Sequence, residues 1–349
     1  MKTEIKINDR FIGDGRPVYI IAEISANHSH DFSKAVRLIQ AAKKAGADAV
    51  KLQTYKPETM TIDCDNEYFR IKGTIWEGKT LYQLYEDAYM PWKWQPDLKK
   101  IAIELGIDFF SSPFDTTAVD FLEEIGVRCY KVASFEILDI PLLQKIAKTG
   151  KPIIMSTGMA SLGEIDEAVD TIRSNGNNQL ALLKCTSAYP APPDEANLKT
   201  IKHLADAFGV PVGLSDHSMG SAVAVAAVAL GARIIEKHFT LSRNDPGPDS
   251  SFSMEPYEFK QMVEDIRTVE KALGKVTYEI TEKQKESRCF RRSLFIVNDI
   301  KAGESFTREN IRSIRPGYGL HTRYIKEILG RKAKIHITKG TPLSWDLFR

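Results

Sequence analysis

VYIIAEISANHSHDFSKAVRLIQAAKKAGADAVKLQ, residues 18–53, reads as strand, helix, strand. The flanks VYIIAE and ADAVKLQ are short apolar runs of strand length. Between them DFSKAVRLIQAAKKAG has the amphipathic spacing of a helix, with Asp31 placed to cap it and Gly46 to stop it. Two strands joined by a crossover helix must lie parallel.

The alternation repeats to about residue 273. IDFFSS (from Ile107), RCYKVAS (from Arg128), PIIMSTG (from Pro152), LALLKCT (from Leu180), PVGLSDH (from Pro211) and ARIIEKH (from Ala232) raise the strand count to eight. GEIDEAVDTIRSNG supplies the helix after the fifth. Eight such strands with helices between them predict one closed (β/α)8 TIM barrel rather than an open sheet. A barrel takes roughly 250 residues, so a chain of 349 has room for a small second domain. The boundaries expected are a barrel over 1–273, a linker over 274–286 and a C-terminal domain over 287–349.

Lys+Arg 48 against Asp+Glu 46 leaves a net charge of +2, too little to draw the chain to nucleic acid or to a membrane surface. A small-molecule substrate is the better expectation. Cys64, Cys129, Cys185 and Cys289 form no C-x-x-C pair and read as reduced thiols. The opening MKTEIKINDRFIGDG has no apolar signal core, and no apolar run reaches membrane-spanning length, so a cytoplasmic enzyme is expected.

Barrel active sites lie where the strands end at their C-terminal face, and those ends are polar here. In order they carry Glu23, Lys51 and Gln53, Ser111 and Ser112, Lys131 and Ser134, Ser156, Lys184, Ser215 and His217, Glu236 and His238. Alternation along a strand puts Tyr19, Ile21 and Glu23 on one face, as it does Ala49, Lys51 and Gln53. Lys51 and Lys131 with Ser134, Ser156 and Ser215 would offer fixed charge and hydroxyl donors to a phosphate and a carboxylate. His217 and His238 end neighbouring strands and could share one divalent ion, with open positions suiting manganese or magnesium better than structural zinc. Plainer readings stand beside these: solvated lysines, neutral hydrogen-bonded histidines, and a Glu23–Lys51 ion pair. A rival chemistry makes Lys131 a Schiff-base lysine, as in pyruvate-dependent barrel aldolases. The gap from Thr54 to about Met90 is long and aromatic, which suggests a folded lid over the substrate. The loop NDPGPDSSFS after the last strand carries Asp249.

IAEISANHSH, ADAVKLQTYKPE, FSSPFD, YKVASFEI, GKPIIMSTGMA, CTSAYPAPP, GLSDHS, EKHFT and DPGPDSSFSM, in order across about residues 17 to 256, resemble the motifs of the sialic acid synthase (N-acetylneuraminate synthase) family. SLFIVNDIKAGESFTRENIRSIRPGYGL, within residues 287–349, resembles the antifreeze-like (SAF) domain that ends this family's chains. The resemblance implies a transferase that condenses phosphoenolpyruvate with an open-chain sugar. It implies Glu23 as acid/base, and Lys51, Ser112, Lys131, Ser134, Ser156, Ser187 and Ser215 as the phosphoenolpyruvate cradle. Gln53, Glu136, Tyr189 and Asp249 would meet the acceptor sugar or the inner shell of the metal, and His217 and His238 would bind that divalent metal, manganese above magnesium or cobalt. Arg315 in RPGYG would be inserted by a partner subunit, which makes a domain-swapped homodimer. An ice-binding or sugar-binding tail is the non-enzymatic alternative, and Lys301, Glu304, Arg308, Glu309 and Arg312 interrupt any flat regular surface it would need.

The departures bear on the acceptor. Ser25, Ala26, Asn27 and His28 stand where the family commonly has GxNH, and Phe135 replaces a small residue. The segment DCDNEYFRIKGTIWEGKTLYQLYEDAYMPWKW resembles the family's pseudaminic acid-forming branch. Its aromatics would suit a 6-deoxy diacetamido sugar with a methyl where the neuraminate precursor has a hydroxyl. Neuraminic and legionaminic acids are the alternative products.

Overall fold

The computed structural model describes residues 4–349. Eight parallel strands close into a barrel: β3 (Tyr19–Glu23), β4 (Ala49–Thr54), β5 (Asp108–Pro113), β6 (Tyr130–Val132), β7 (Ile153–Ser156), β8 (Leu180–Cys185), β9 (Val212–Asp216) and β10 (Ile234–His238). β10 pairs with both β9 and β3, which seals the ring. Before it, β1 (Glu4–Ile7) and β2 (Arg10–Gly13) form an antiparallel hairpin that the sequence reading did not anticipate. Ile5, Ile7 and Ile12 of that hairpin join Tyr19, Ile21 and Phe110 in one buried cluster, so the hairpin plugs the N-terminal end of the lumen. Asn8 in its turn donates to Asp108 at 2.6 Å, and Arg10 reaches Asp48 at 2.8 Å.

The helix after β3 forms where its cap predicted it, and the helix after β7 where its pattern did. Asp31 accepts from Ser33 N–H and starts the helix Phe32–Lys44, while Ser161 and Glu164 make a reciprocal capping box for Leu162–Ser174. Their apolar faces pack on the outward side chains of the strands in a separate, larger core that includes Leu38, Ile39, Val50, Ile172 and Ile235.

Period-two alternation sorts the strand residues into those two cores. Ala49, Phe110, Ile154, Ala181, Leu183 and Ile234 point inward, which leaves Glu23, Lys51, Ser112, Lys131, Ser156, Ser215 and Glu236 as the next inward layer at the C-terminal mouth. The parity corrects two of the strand-end expectations. Lys184 lies between inward Leu183 and Cys185, so its ammonium points out and bonds Cys185 O and Thr186 Oγ1 at 2.8 and 3.2 Å. Ser111 likewise faces out, against Thr54.

Gly213 is the inward residue of β9 nearest the floor. A Cβ there would lie 2.3 Å from Ile234 O and 2.7 Å from Ile234 Cβ. Gly213→Ala should therefore cost about 1–3 kcal/mol by overpacking, read as a lowered urea midpoint with an unchanged slope.

The chain divides at Gly274 into two units. In the second, Lys275–Arg349, β11 (Ser293–Ile296) pairs antiparallel with β12 (Ile311–Ile314), and Leu294, Ile300, Phe306, Ile311, Ile328 and Leu343 form its own core. The segment expected as linker is solvent-exposed but not featureless: Thr281 and Gln284 make a capping box for a short helix, Glu282–Ser287. Among the described residues no helix is long and apolar enough to cross a membrane.

Candidate active site

Four charged side chains meet in the mouth of the barrel. Lys51 Nζ lies 3.1 Å from Glu23 Oε2 and 2.8 Å from Glu236 Oε1, and Lys131 Nζ is 3.8 Å from the same Glu236 oxygen. All four are buried. Burial pushes Glu23 up to about 7; Lys51 opposes that shift and Glu236 adds to it. Burial acts the same way on Glu236, but Lys131 and Lys51 outweigh it and hold this carboxyl below its usual range. Lys51 is held protonated by the two carboxylates against the pull of burial. In Lys131 burial wins and lowers the ammonium pKa. The outcome is a cluster of two lysines, one carboxylate held ionised and one carboxyl near its midpoint at neutral pH, poised to take a further anion.

Hydroxyls surround the lysines. Lys131 Nζ donates to Ser156 Oγ at 2.7 Å and to Val132 O at 3.0 Å. Ser215 Oγ donates to Glu236 at 3.4 Å, and the buried Ser112 Oγ has no partner. Ser134 sits on a 3-10 turn just past β6 and accepts from Gly158 N–H at 3.1 Å. A Cβ on Gly158 would lie 2.3 Å from Ser187 Oγ and 2.7 Å from Ser134 Oγ. Ser134, Ser187 and the bare Gly158 thus make a tight donor corner beside Lys131 and Ser156.

Beside this cradle lies a cavity of about 360 Å³. Gln53, Glu136, Tyr189, His238 and Asp249 supply its polar wall, and Met60, Ile71, Leu81, Leu84, Tyr85 and Trp76 its apolar one. Those apolar residues come from the 54–90 segment, which is folded around the helices Pro57–Met60 and Leu81–Ala88, as a lid would be. Trp76 Nε1 donates to Pro248 O at 3.0 Å and ties the lid to the loop after β10. Gln53 joins the two compartments: its Nε2 donates to Glu23 Oε1 at 3.0 Å and to Ser25 Oγ at 3.2 Å, and Ser25 in turn donates to Asp249.

Glu136 Oε2 is buried without a partner, and burial, only partly offset by Lys131, lifts this carboxyl to about 7. A carboxyl raised in the folded state costs nothing below its unfolded pKa and its full penalty above the folded one. Glu136→Gln should therefore stabilise the protein progressively as pH rises from about 4.5 to 7. The gain should be about 1–2 kcal/mol at pH 8, less than the full shift implies because the side chain is partly open to solvent. Paired melts of variant and wild type across that range check this.

His217 and His238 both face the mouth, with ring centroids 5.3 Å apart. His217 Nδ1 contacts Thr186 O at 2.9 Å, which fixes the ring and leaves Nε2 free of that contact. His238 Nδ1 is buried without a partner, and burial beside His217 and Lys51 holds its imidazole well below the usual range, hence neutral. An orphaned neutral imidazole nitrogen next to a second oriented imidazole fits a divalent ion. Among the described residues no group of three or more His, Cys, Asp or Glu side chains is placed to enclose one, so the donor set would be open rather than of the closed structural type.

All the residues expected from the strand ends except Ser111 and Lys184 are thus brought together. Arg315 lies in the second unit, exposed, just after β12. Sequence reasoning missed the counter-ion role of Glu236, whose parity with His238 was the available signal. It also missed Tyr55 and Tyr85 in the lid wall, and named Ser25 only as a departure from the family's motif. Nothing in the sequence marked Cys185, whose Sγ lies 3.8 Å from Ser187 Oγ and 3.9 Å from His217 Nδ1.

A closed parallel barrel with a buried cationic cradle next to a half-apolar chamber defines an enzyme that joins a small polyanion to a second, larger substrate. The chain belongs to the NeuB family, whose model matches residues 38–278, and a SAF domain matches residues 291–349. It is 46% identical over 334 residues to a pseudaminic acid synthase of Campylobacter jejuni, covering 96% of this chain and 97% of that one. To an N,N'-diacetyllegionaminic acid synthase of Legionella pneumophila it is 38% identical, covering 96% and 95%. The crystal structure of an N-acetylneuraminic acid synthetase from Leptospira borgpetersenii, in complex with citrate, matches with a TM-score of 0.73 at 36% identity, over 82% of this chain and 95% of that one.

Proposed function

We propose that this chain is a pseudaminic acid synthase. It condenses phosphoenolpyruvate with 2,4-diacetamido-2,4,6-trideoxy-β-L-altropyranose and water, giving pseudaminic acid and phosphate. The observation that carries this reading is the shared wall at Gln53 and Glu23, with the cationic cradle on one side and the chamber of Met60, Ile71, Leu81 and Leu84 on the other. A sugar with a methyl at carbon 6 and two acetamido groups suits an apolar wall better than one with free hydroxyls there.

In this mechanism Lys51, Lys131 and the hydroxyls of Ser112, Ser134, Ser156, Ser187 and Ser215 hold the phosphate and carboxylate of phosphoenolpyruvate. Lys131 serves as a donor rather than as a Schiff-base nucleophile. Gln53, Glu136, Tyr189 and Asp249 orient the open-chain aldehyde over carbon 3 of phosphoenolpyruvate, where the new bond forms. Glu23, near its midpoint at neutral pH, holds the proton exchanged at the aldehyde oxygen. Water then adds at carbon 2 and phosphate departs with its bridging oxygen. His217 and His238 would hold a divalent ion, manganese above magnesium or cobalt, and such an ion polarises a carbonyl oxygen as a Lewis acid.

We further read the molecule as a domain-swapped homodimer in the cytoplasm, the partner subunit's Arg315 completing the acceptor site. The charge distribution supports this: residues 275–349 carry 17 lysines and arginines against 8 acidic residues, although the whole chain is nearly neutral. A basic domain is drawn to an acidic barrel on a second copy. Arg315→Ala should accordingly lower turnover about 10–100-fold with no change in melting temperature.

Phosphoenolpyruvate labelled with oxygen-18 at the bridging position tests the chemistry. Labelled inorganic phosphate is expected by mass spectrometry; label retained in the sugar acid would exclude the route.

A further inference from the structure

Asp216 and Lys237 are buried on the helix-facing side of the sheet, away from the lumen. They sit directly opposite each other in the β9–β10 ladder, with Nζ and Oδ2 2.6 Å apart and each side chain 2% exposed. Stability alone does not account for such a pair, because well-packed apolar side chains in its place are often neutral or stabilising. What the pair holds is a turn. Asp216 Oδ1 accepts from Ser218 N–H at 2.9 Å and from Ser218 Oγ at 2.6 Å, while Lys237 Nζ also donates to Ser218 O at 2.7 Å. His217 is the middle residue of that turn, and His238 directly follows Lys237. A single ammonium therefore ties the backbone carrying one imidazole to the strand carrying the other.

We propose that the Asp216–Lys237 pair is a positioning device that fixes His217 and His238 at the spacing needed to share one divalent ion. The inference rests on the reading of those two histidines as the ion's ligands. Partners behind a ligand commonly govern metal affinity by 10–100-fold without touching the metal. Here the partner acts through the backbone turn rather than through the imidazole, so its loss would leave both ligands present but misaligned.

The test is Mn²⁺ binding to the full-length protein, followed by electron paramagnetic resonance of the free ion, in D216L/K237M and in H238A. The double variant exchanges the ion pair for apolar side chains and is expected to melt near the wild-type temperature. Its Mn²⁺ dissociation constant should rise 10–100-fold, while phosphoenolpyruvate affinity measured by calorimetry without metal stays within threefold. Mn²⁺ affinity within twofold of wild type, alongside lost binding in H238A, overturns the positioning role and leaves the ligand assignment intact. Undiminished binding in H238A overturns both. If D216L/K237M does not fold, D216N/K237Q decides, since it keeps polar side chains of similar size but removes the ammonium that ties Ser218 O to Asp216: affinity weakened threefold or more supports the proposal, and a smaller change overturns it.

Discussion

Exchanging Lys51 for Met should lower kcat/KM for phosphoenolpyruvate on the order of 10³-fold, the scale of losing a preorganised charge donor in a dry site. The reason lies in the company Lys51 keeps. It lies within 3.1 Å of both Glu23 and Glu236, and no other cation is as close to either. Without it two buried carboxyls face one another, with only Lys131 near one of them. Breaking a buried pair from one side costs about 3–5 kcal/mol, but protonation of the carboxyls relieves part of this. With the ammonium gone, Glu23 loses the charge that opposed its burial and its folded-state pKa moves further above the unfolded one, so this part of the stability penalty is absent in acid and complete in alkali. The deficit of Lys51→Met should therefore be small at pH 4.5 and largest at pH 8. Adding Glu236→Gln should restore most of the stability at pH 8 and none of the activity, which separates the fold's use of Lys51 from the site's. Melting curves at both pH values and phosphate-release kinetics check the two halves.

Glu23→Gln should reduce kcat by about 10²–10⁴-fold while KM for phosphoenolpyruvate changes little. Glutamine keeps the oxygen that accepts from Gln53 Nε2, so the link between the two compartments survives, but it can neither take nor give a proton. Because burial raises Glu23 to about 7, the ionised carboxylate is a liability to the fold above that pH. The variant should then melt higher than wild type at pH 8 and no higher at pH 4.5. A loss confined to KM would move Glu23 from proton transfer to substrate holding.

Most of the site was legible because a parallel barrel makes position a matter of parity. Once VYIIAE and ADAVKLQ are read as strands, Glu23, Lys51 and Gln53 must face the lumen near its C-terminal end, and the same reasoning brings Ser156, Ser215 and Glu236 beside them. Parity also explains the error over Lys184. A polar strand end is conspicuous, but inward Leu183 and Cys185 on either side consign it to the outer face. The hairpin Glu4–Gly13 was illegible because its strands are too short to announce themselves. Ile5, Ile7 and Ile12 find a core only when the floor of the closed barrel exists to receive them. The chamber wall was legible in kind, as an aromatic lid, but not residue by residue. Trp76, Tyr85 and Leu84 owe their places to the tertiary path of the 54–90 segment, which no period in the sequence encodes. Asp216 and Lys237 were hidden for a different reason: two charged residues in a strand suggest exposure, whereas here each satisfies the other inside the sheet–helix layer.

A cationic cradle and a half-apolar chamber share one wall, and there we place the meeting of an enol phosphate with a 6-deoxy diacetamido sugar. The most direct test of this placement is a comparison of kcat/KM for purified protein with phosphoenolpyruvate, manganese and three acceptors: the altro diacetamido sugar, its manno isomer, and N-acetylmannosamine. The altro sugar should be preferred by at least about tenfold over the manno isomer, with N-acetylmannosamine, which brings a hydroxyl to the apolar wall, the poorest. Equal or better turnover of N-acetylmannosamine would contradict a chamber built for a 6-deoxy sugar.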